Sequence, residues 1–230
     1  IEEGRAIYEN VRKFLTYILA SNVPEIVPFL LSVLFGIPLP LTVMQILAVD
    51  LGTDLVPALA LGVEPPEPDV MRRPPRSRRE RLLDRATLLR AYGWLGPIEA
   101  TLAMGAYFFA YLWAGWTPGE DLPASGELYR TATTMSLAGI VACQVGNVFA
   151  CRSDRESIRD LRLRSNPWVF AGAATAVATL ALLIYVPPLA RVFGLAPLGL
   201  VHWALLATFP LLVLGLEEVR KAFAGRHRER

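Results

Sequence analysis

The sequence predicts an all-α polytopic membrane bundle of six transmembrane helices in three hairpins, the second helix partly unwound. Three observations carry this expectation. The 230-residue chain is 53% hydrophobic with a mean hydropathy of +0.40, more apolar and less charged than ordinary soluble domains. Its apolar residues cluster into six stretches, 14–35, 41–63, 91–114, 131–151, 168–186 and 199–216. Each is of roughly the length that crosses a ~30 Å hydrocarbon core as helix. The basic residues alternate sharply between successive connections. All but Arg130 and Arg191 of the 23 lysines and arginines fall on one side of such a bundle. The positive-inside rule puts that side, and both termini, in the cytoplasm. Flanking arginines at every second connection are explained by topology, so a nucleic-acid partner is not expected.

Residues 1–230 read as one transmembrane domain. Segment 1–13 is charged and amphipathic and runs directly into the first apolar stretch, as a helix does when it passes from water into a bilayer; no signal peptide is visible. The first and second helices are joined by the tight turn GIPLPL. A cytoplasmic loop follows at 64–90, with eight arginines between Arg72 and Arg90. Prolines in its first part discourage helix and favour an extended path over the surface. A polar outer loop joins the third and fourth helices, and PPLARVFGLAPL joins the fifth and sixth. Segment 217–230 is the cytoplasmic tail. Cys143 and Cys151 lie eight residues apart in the fourth span. About 12 Å of helical rise separates them, so they cannot bridge each other and are read as reduced packing residues. His202 and His227 are isolated, and no Cys/His metal spacing exists.

Polar residues within the spans are few, and intramembrane charges are functional-site candidates by default. The first span carries Asn22 and Glu25, three apart on one helix face. The second carries Asp50, Thr53 and Asp54, and the two acids, four apart, also share a face. A tight hairpin brings these faces together. Three carboxylates without an intramembrane Lys or Arg repel one another, and a bound hard cation with oxygen ligands is the simplest compensation. The backbone fits this reading. Pro24 and Pro28 each free a carbonyl one turn back, while Gly52 and Pro57 are placed to break the second helix at the acids. Broken helices at membrane depth expose carbonyls that coordinate cations, although Pro and Gly also serve as plain packing kinks. Glu99 in the third span has two readings: a contributor to an ion path, or an acid satisfied by an arginine such as Arg90. Gln144 and Asn147, three apart in the fourth span, fit either ion coordination or interhelical hydrogen bonding.

These residues sit in longer signatures. EGRAIYENVRKFLTYILASNVPEI, followed by IPLPLTVMQILAVDLGTDLVPALALGVEPPEPDVMRRPPR, resembles the fifth and sixth membrane helices of type II P-type cation-transporting ATPases. The likeness extends more weakly to the end of the chain, and within the class it looks most like the sodium/potassium pump branch. The resemblance implies that Asn22 and Glu25 are the ligand pair of the fifth helix and that Asp50, Thr53 and Asp54 are ligands of an unwound sixth helix. Ser21 and Tyr17 match positions near the potassium and sodium sites, and Ser21 stands where proton/potassium pumps carry lysine. Gln144 and Asn147 match site-lining positions of the eighth helix, with Asn147 where the sodium/potassium pump has an acid. The transported cation is expected to be Na+, K+ or Ca2+, with Mg2+ and ATP used only by the parent pump.

The chain also departs from that branch. FAGAATAVATLALL lacks the ninth-helix glutamate tied to a third sodium site, the outer loop where a β-subunit docks is short, and the chain ends GRHRER where the family ends in tyrosine. Glu99 looks more like bacterial members. A prokaryotic pump of the plasma (inner) membrane is therefore expected, and neither three-sodium stoichiometry nor a β-subunit is implied. The phosphorylated Asp-Lys-Thr-Gly-Thr, the Thr-Gly-Glu-Ser and the Pro-Glu-Gly-Leu of the family do not occur in the sequence. The chain is accordingly expected to be the C-terminal membrane half of a pump, partnered by the N-terminal actuator, phosphorylation and nucleotide domains and first four helices, and to hydrolyse no ATP itself. The competing expectation is a small non-enzymatic channel, carrier or scaffold derived from such a fragment.

Overall fold

The computed structural model describes residues 1–67, 70–71, 81–154, 156–158 and 163–226; the rest of the arginine-rich loop, including Arg72 to Arg79, lies outside them. Among the described residues the regular structure is entirely helical. Five helices are long and apolar enough to cross a membrane: Glu2–Phe35, Val43–Gly62, Gly126–Ala150, Pro167–Tyr185 and Leu200–Ala224. The stretch expected at 91–114 forms a helix in the same bundle but is not among the five; Glu99, Thr101, Tyr107 and Tyr111 dilute its apolar character.

The first span is two helices end to end, α1 (Glu2–Ser21) and α2 (Val23–Phe35). Glu2 and Glu3 sit in the first turn of α1, where carboxylates complement the helix dipole. Pro24 opens α2 directly after the junction at Asn22, and Gly36, with φ of 65°, closes it in the left-handed conformation.

The next helix starts from a reciprocal cap. Thr42 Oγ1 accepts from the Gln45 amide at 3.3 Å, and Gln45 Oε1 accepts from the Thr42 amide at 3.1 Å. Helix α3 (Val43–Ala48) then widens into a π turn, Val49–Asp54, before resuming as α4 (Leu55–Gly62). Pro57 has no N–H to give the Thr53 carbonyl, so the ladder cannot run through this point unchanged. The expected unwinding of this helix takes the form of that π turn. The same device recurs where α5 (Arg85–Arg90) passes through a π turn, Ala91–Leu95, into α6 (Gly96–Trp113), just before Pro97.

Helix α7 (Gly126–Ala150) is the centre of the bundle and is buried along most of its length, against α6, α8 (Pro167–Tyr185) and the last helix. A short α9 (Pro187–Phe193) follows α8. The expected span at 199–216 is two helices, α10 (Leu200–Leu206) and α11 (Phe209–Arg226), separated just before Pro210. Helix α11 runs on through Glu217, well past the expected end of the span.

Small residues set the closest approaches, as in membrane bundles generally. A Cβ at Gly172 of α8 would lie 2.8 Å from Pro57 Cα, so α8 packs directly on the backbone beside the π turn. A Cβ at Gly146 of α7 would lie 2.7 Å from the Pro210 carbonyl oxygen.

The arginine-rich end is held by buried ion pairs. Arg152 donates through Nε and one terminal nitrogen to Glu64 Oε1 at 2.9 and 2.6 Å, while Asn166 Nδ2 donates to Glu64 Oε2 at 2.7 Å. Arg90 pairs with Glu217 at 2.7 Å, with Asp154, and with the Ala150 carbonyl at 3.0 Å. Lys13 pairs with Glu67 at 3.3 Å, and Asn10 Nδ2 donates to the Glu64 carbonyl at 2.6 Å. The stretch 64–67, expected to lie extended over the surface, is thus stitched to α1 and to the end of α7, with both glutamates buried.

Candidate functional site

The site forms where the joint of the first span faces the first π turn. Tyr17 and Ser21 lie one turn apart on the same face of α1, and both are fully buried. The Tyr17 hydroxyl donates to Asp54 Oδ1 at 2.8 Å and Ser21 Oγ donates to the same oxygen at 3.4 Å. Asp54 closes the π turn and is only 3% exposed. Without these donors a carboxylate at this depth would be an uncompensated polar group. Thr53, beside it, donates to the Val49 carbonyl at 3.1 Å and lies 3.3 Å from Gln144 Oε1. Its hydroxyl therefore satisfies a carbonyl inside the π turn and ties the turn to α7.

Glu25 is buried one turn beyond Ser21, and its Oε1 has no hydrogen-bond partner. It is near enough to Asp50 and Asp54 for the three charges to interact. Asn22 is half-buried at the joint between α1 and α2, and Asp50 is exposed. This differs from the expected arrangement, in which Asp50 and Asp54 share one face opposite Asn22 and Glu25. A π turn closes its hydrogen bonds over five residues instead of four, so residues four apart no longer superpose. Asp54 turns into the bundle toward Tyr17, and Asp50 turns out of it. Among the described residues, no group of three or more His, Cys, Asp or Glu side chains converges tightly enough to hold a metal ion.

Gln144 and Asn147 are both fully buried on α7. Gln144 reaches Thr53, and Asn147 Oδ1 accepts from Cys151 Sγ at 3.2 Å. Both cysteines are free and buried. Arg90 is committed to Glu217, Asp154 and the Ala150 carbonyl, whereas Glu99 is fully buried beside the Asn147 side-chain amide. It lies within electrostatic reach of Asp54 and Glu25. Sequence spacing could not reveal this convergence, because it depends on α6 crossing α1 at the level of Tyr17. The only sequence signal was an acid two turns inside an apolar helix.

A helical membrane bundle with buried acids gathered at a proline-associated helix interruption is the layout of an ion-translocating domain. The family "Cation transporting ATPase, C-terminus" matches residues 38–223. The chain is 32% identical over 252 aligned residues to the sodium/potassium-transporting ATPase subunit alpha-2 of Gallus gallus and of Homo sapiens, and to subunit alpha-3 of Rattus norvegicus. Each alignment covers 99% of this chain and 25% of the relative, so the chain spans about a quarter of the length of these proteins. It belongs to the cation-transporting P-type ATPase family and corresponds to its C-terminal membrane region.

Proposed function

We propose that this chain is the cation-binding and translocating membrane domain of an ATP-driven P-type pump, with Asn22, Glu25, Asp50, Thr53 and Asp54 as its principal ligands and Tyr17, Ser21, Gln144 and Asn147 lining the path. The observation that carries this reading is the Tyr17–Asp54 hydrogen bond: a buried carboxylate, placed by a π turn, faces the joint of the neighbouring span with no cationic side chain against it among the described residues. A carboxylate with one oxygen held by Tyr17 and Ser21 can offer the other to a hard cation without reorganising the bundle. The exposed Asp50, with the apolar residues Leu47, Leu51 and Leu55 exposed on the same stretch, suits a face completed by further helices of a larger pump.

In that pump the N-terminal domains bind ATP and Mg2+ and form the phosphorylated aspartate. Movement of α1 then alters the Tyr17–Asp54 geometry and so alternates access to the site. The transported ion is Na+, K+ or Ca2+, the protein is prokaryotic, and it lies in the plasma (inner) membrane with both termini in the cytoplasm. The test is to place residues 1–230, with and without Asp54→Asn, in a complete homologous pump and to measure cation-stimulated ATP hydrolysis. The expected result is a loss of apparent cation affinity of at least tenfold; unchanged affinity would overturn the ligand assignment.

A further inference from the structure

We infer that Gly172 is a positioning residue for cation binding: α8 is a backstop whose contacts fix where the π turn Val49–Asp54 holds Asp54, although α8 supplies no ligand itself. This rests on the pump reading above. Helix α8 runs antiparallel to the second span and meets it at three successive points. At the arginine-rich end the buried Asn166 caps α8 by accepting from the Trp168 amide at 3.1 Å, and its Nδ2 donates to the Ala60 carbonyl at 2.8 Å. Further along, Gly172 lies against Pro57: a Cβ at Gly172 would stand 2.8 Å from Pro57 Cα and 3.0 Å from its nitrogen. Beyond that, Thr179 Cγ2 lies 3.2 Å from where a Cβ of Gly52, inside the π turn, would be. Between Pro167 and Tyr185 there is no Asp, Glu, Asn, Gln, Lys or Arg, and the Thr175 hydroxyl donates to the Ala171 carbonyl of its own helix. What α8 gives the site is therefore its shape.

That shape matters because the turn does not hold itself. Pro57 has no N–H for the Thr53 carbonyl, so the helix ladder is interrupted beside Asp54. The turn is placed instead by its neighbours: Tyr17 and Ser21 on Asp54, Gln144 on Thr53, and α8 on Pro57 and Gly52. Ordinary van der Waals contact begins near 3.4 Å. A methyl at position 172 therefore forces backbone, not a flexible side chain, to retreat by about 0.6 Å, the difference between 3.4 and 2.8 Å. Binding groups must be held within about 0.5 Å of their productive geometry. A shift of this size three residues from Asp54 reaches the carboxylate and its hydrogen bond to Tyr17.

The experiment uses the complete pump carrying this region and measures ATP hydrolysis against concentration of Na+, K+ and Ca2+ in turn, which separates apparent affinity from maximal rate. Gly172→Ala is expected to lower the apparent affinity for the stimulating cation about tenfold and to keep the rate at saturation. Gly105→Ala, on α6 with open space around its Cβ, is expected to change neither. Because Gly172→Ala acts through Asp54, adding Tyr17→Phe should cost less than the product of the two single losses. Gly52→Ala, which meets only a side-chain methyl, is expected to lower affinity by a smaller factor, and Thr179→Ala, which removes that methyl, to restore it; this pair decides the question if Gly172→Ala does not fold. Unchanged affinity in Gly172→Ala, losses that multiply in the double variant, or a Gly52→Ala loss that Thr179→Ala leaves in place would each overturn the proposal. Asp54→Asn reports on the ligand reading: unchanged affinity there overturns both readings, whereas lowered affinity there beside an unaffected Gly172→Ala overturns only this one.

Discussion

Tyr17 shows how much one hydroxyl decides. It is fully buried, and its hydrogen bond to Asp54 orients the carboxylate that the π turn brings into the bundle. A hydrogen bond to a charged acceptor contributes about 1.5–3 kcal/mol. Tyr17→Phe keeps the ring and removes only the donor, so apparent cation affinity in the complete pump should fall roughly tenfold, about 1.4 kcal/mol, with expression unchanged. A cation dependence identical to that of the parent would show that the bond only fills space. At this scale Thr53, Asp54, Gln144 and Asn147 are legible as polar residues in apolar spans, whereas Tyr17 and Ser21 are singled out only by the family resemblance. The pairings are not legible. The spacing pairs Asp54 with Asn22 and Glu25, yet the hydrogen bonds come from Tyr17 and Ser21, on the preceding turns.

At the scale of elements, Pro57 marks the interruption of the second span but not its form, and the matching interruption before Pro97 is not among the expectations. Pro57 and Pro97 each follow a π turn instead of a complete break, and only the widened turn separates Asp50 from Asp54. Local capping is more readable. Asp84 caps α5 by accepting from the Thr87 amide at 2.7 Å, and Arg12 lies 3.2 Å from its other oxygen. Burial alone would raise the Asp84 carboxyl, but the Thr87 hydrogen bonds and the Arg12 charge hold it below the usual carboxylate range. Because the folded state holds its proton less tightly than the unfolded chain, the stabilisation is full at neutral pH and is lost as pH falls below about 4. Asp84→Ala should lower stability by about 1 kcal/mol at pH 7 and remove that acid-sensitive component. Denaturant unfolding in detergent at pH 7 and pH 3 measures both; equal acid sensitivity in variant and parent would contradict the assignment.

For the molecule as a whole, the alternation of arginine-rich and arginine-poor ends predicts which side each connection occupies. Arg85→Cys and Asp121→Cys place exposed thiols at opposite ends, against a background of two buried native cysteines. A membrane-impermeant maleimide should label position 121 in intact cells and position 85 only after permeabilisation; the reverse pattern would invert the proposed orientation. Hydropathy and charge by themselves determined that the chain is a helical membrane bundle and where its apolar stretches lie, because burial in lipid demands long runs of one character that any reader of the sequence can count. Which charges meet was decided by tertiary structure alone. Glu64 and Arg152, or Arg90 and Glu217, are separated by 88 and 127 residues. Glu99 converges on Asp54 from a different helix. Such meetings depend on crossing geometry, set here by the close backbone contacts at Gly146 and Gly172. No periodicity along a single helix encodes that geometry.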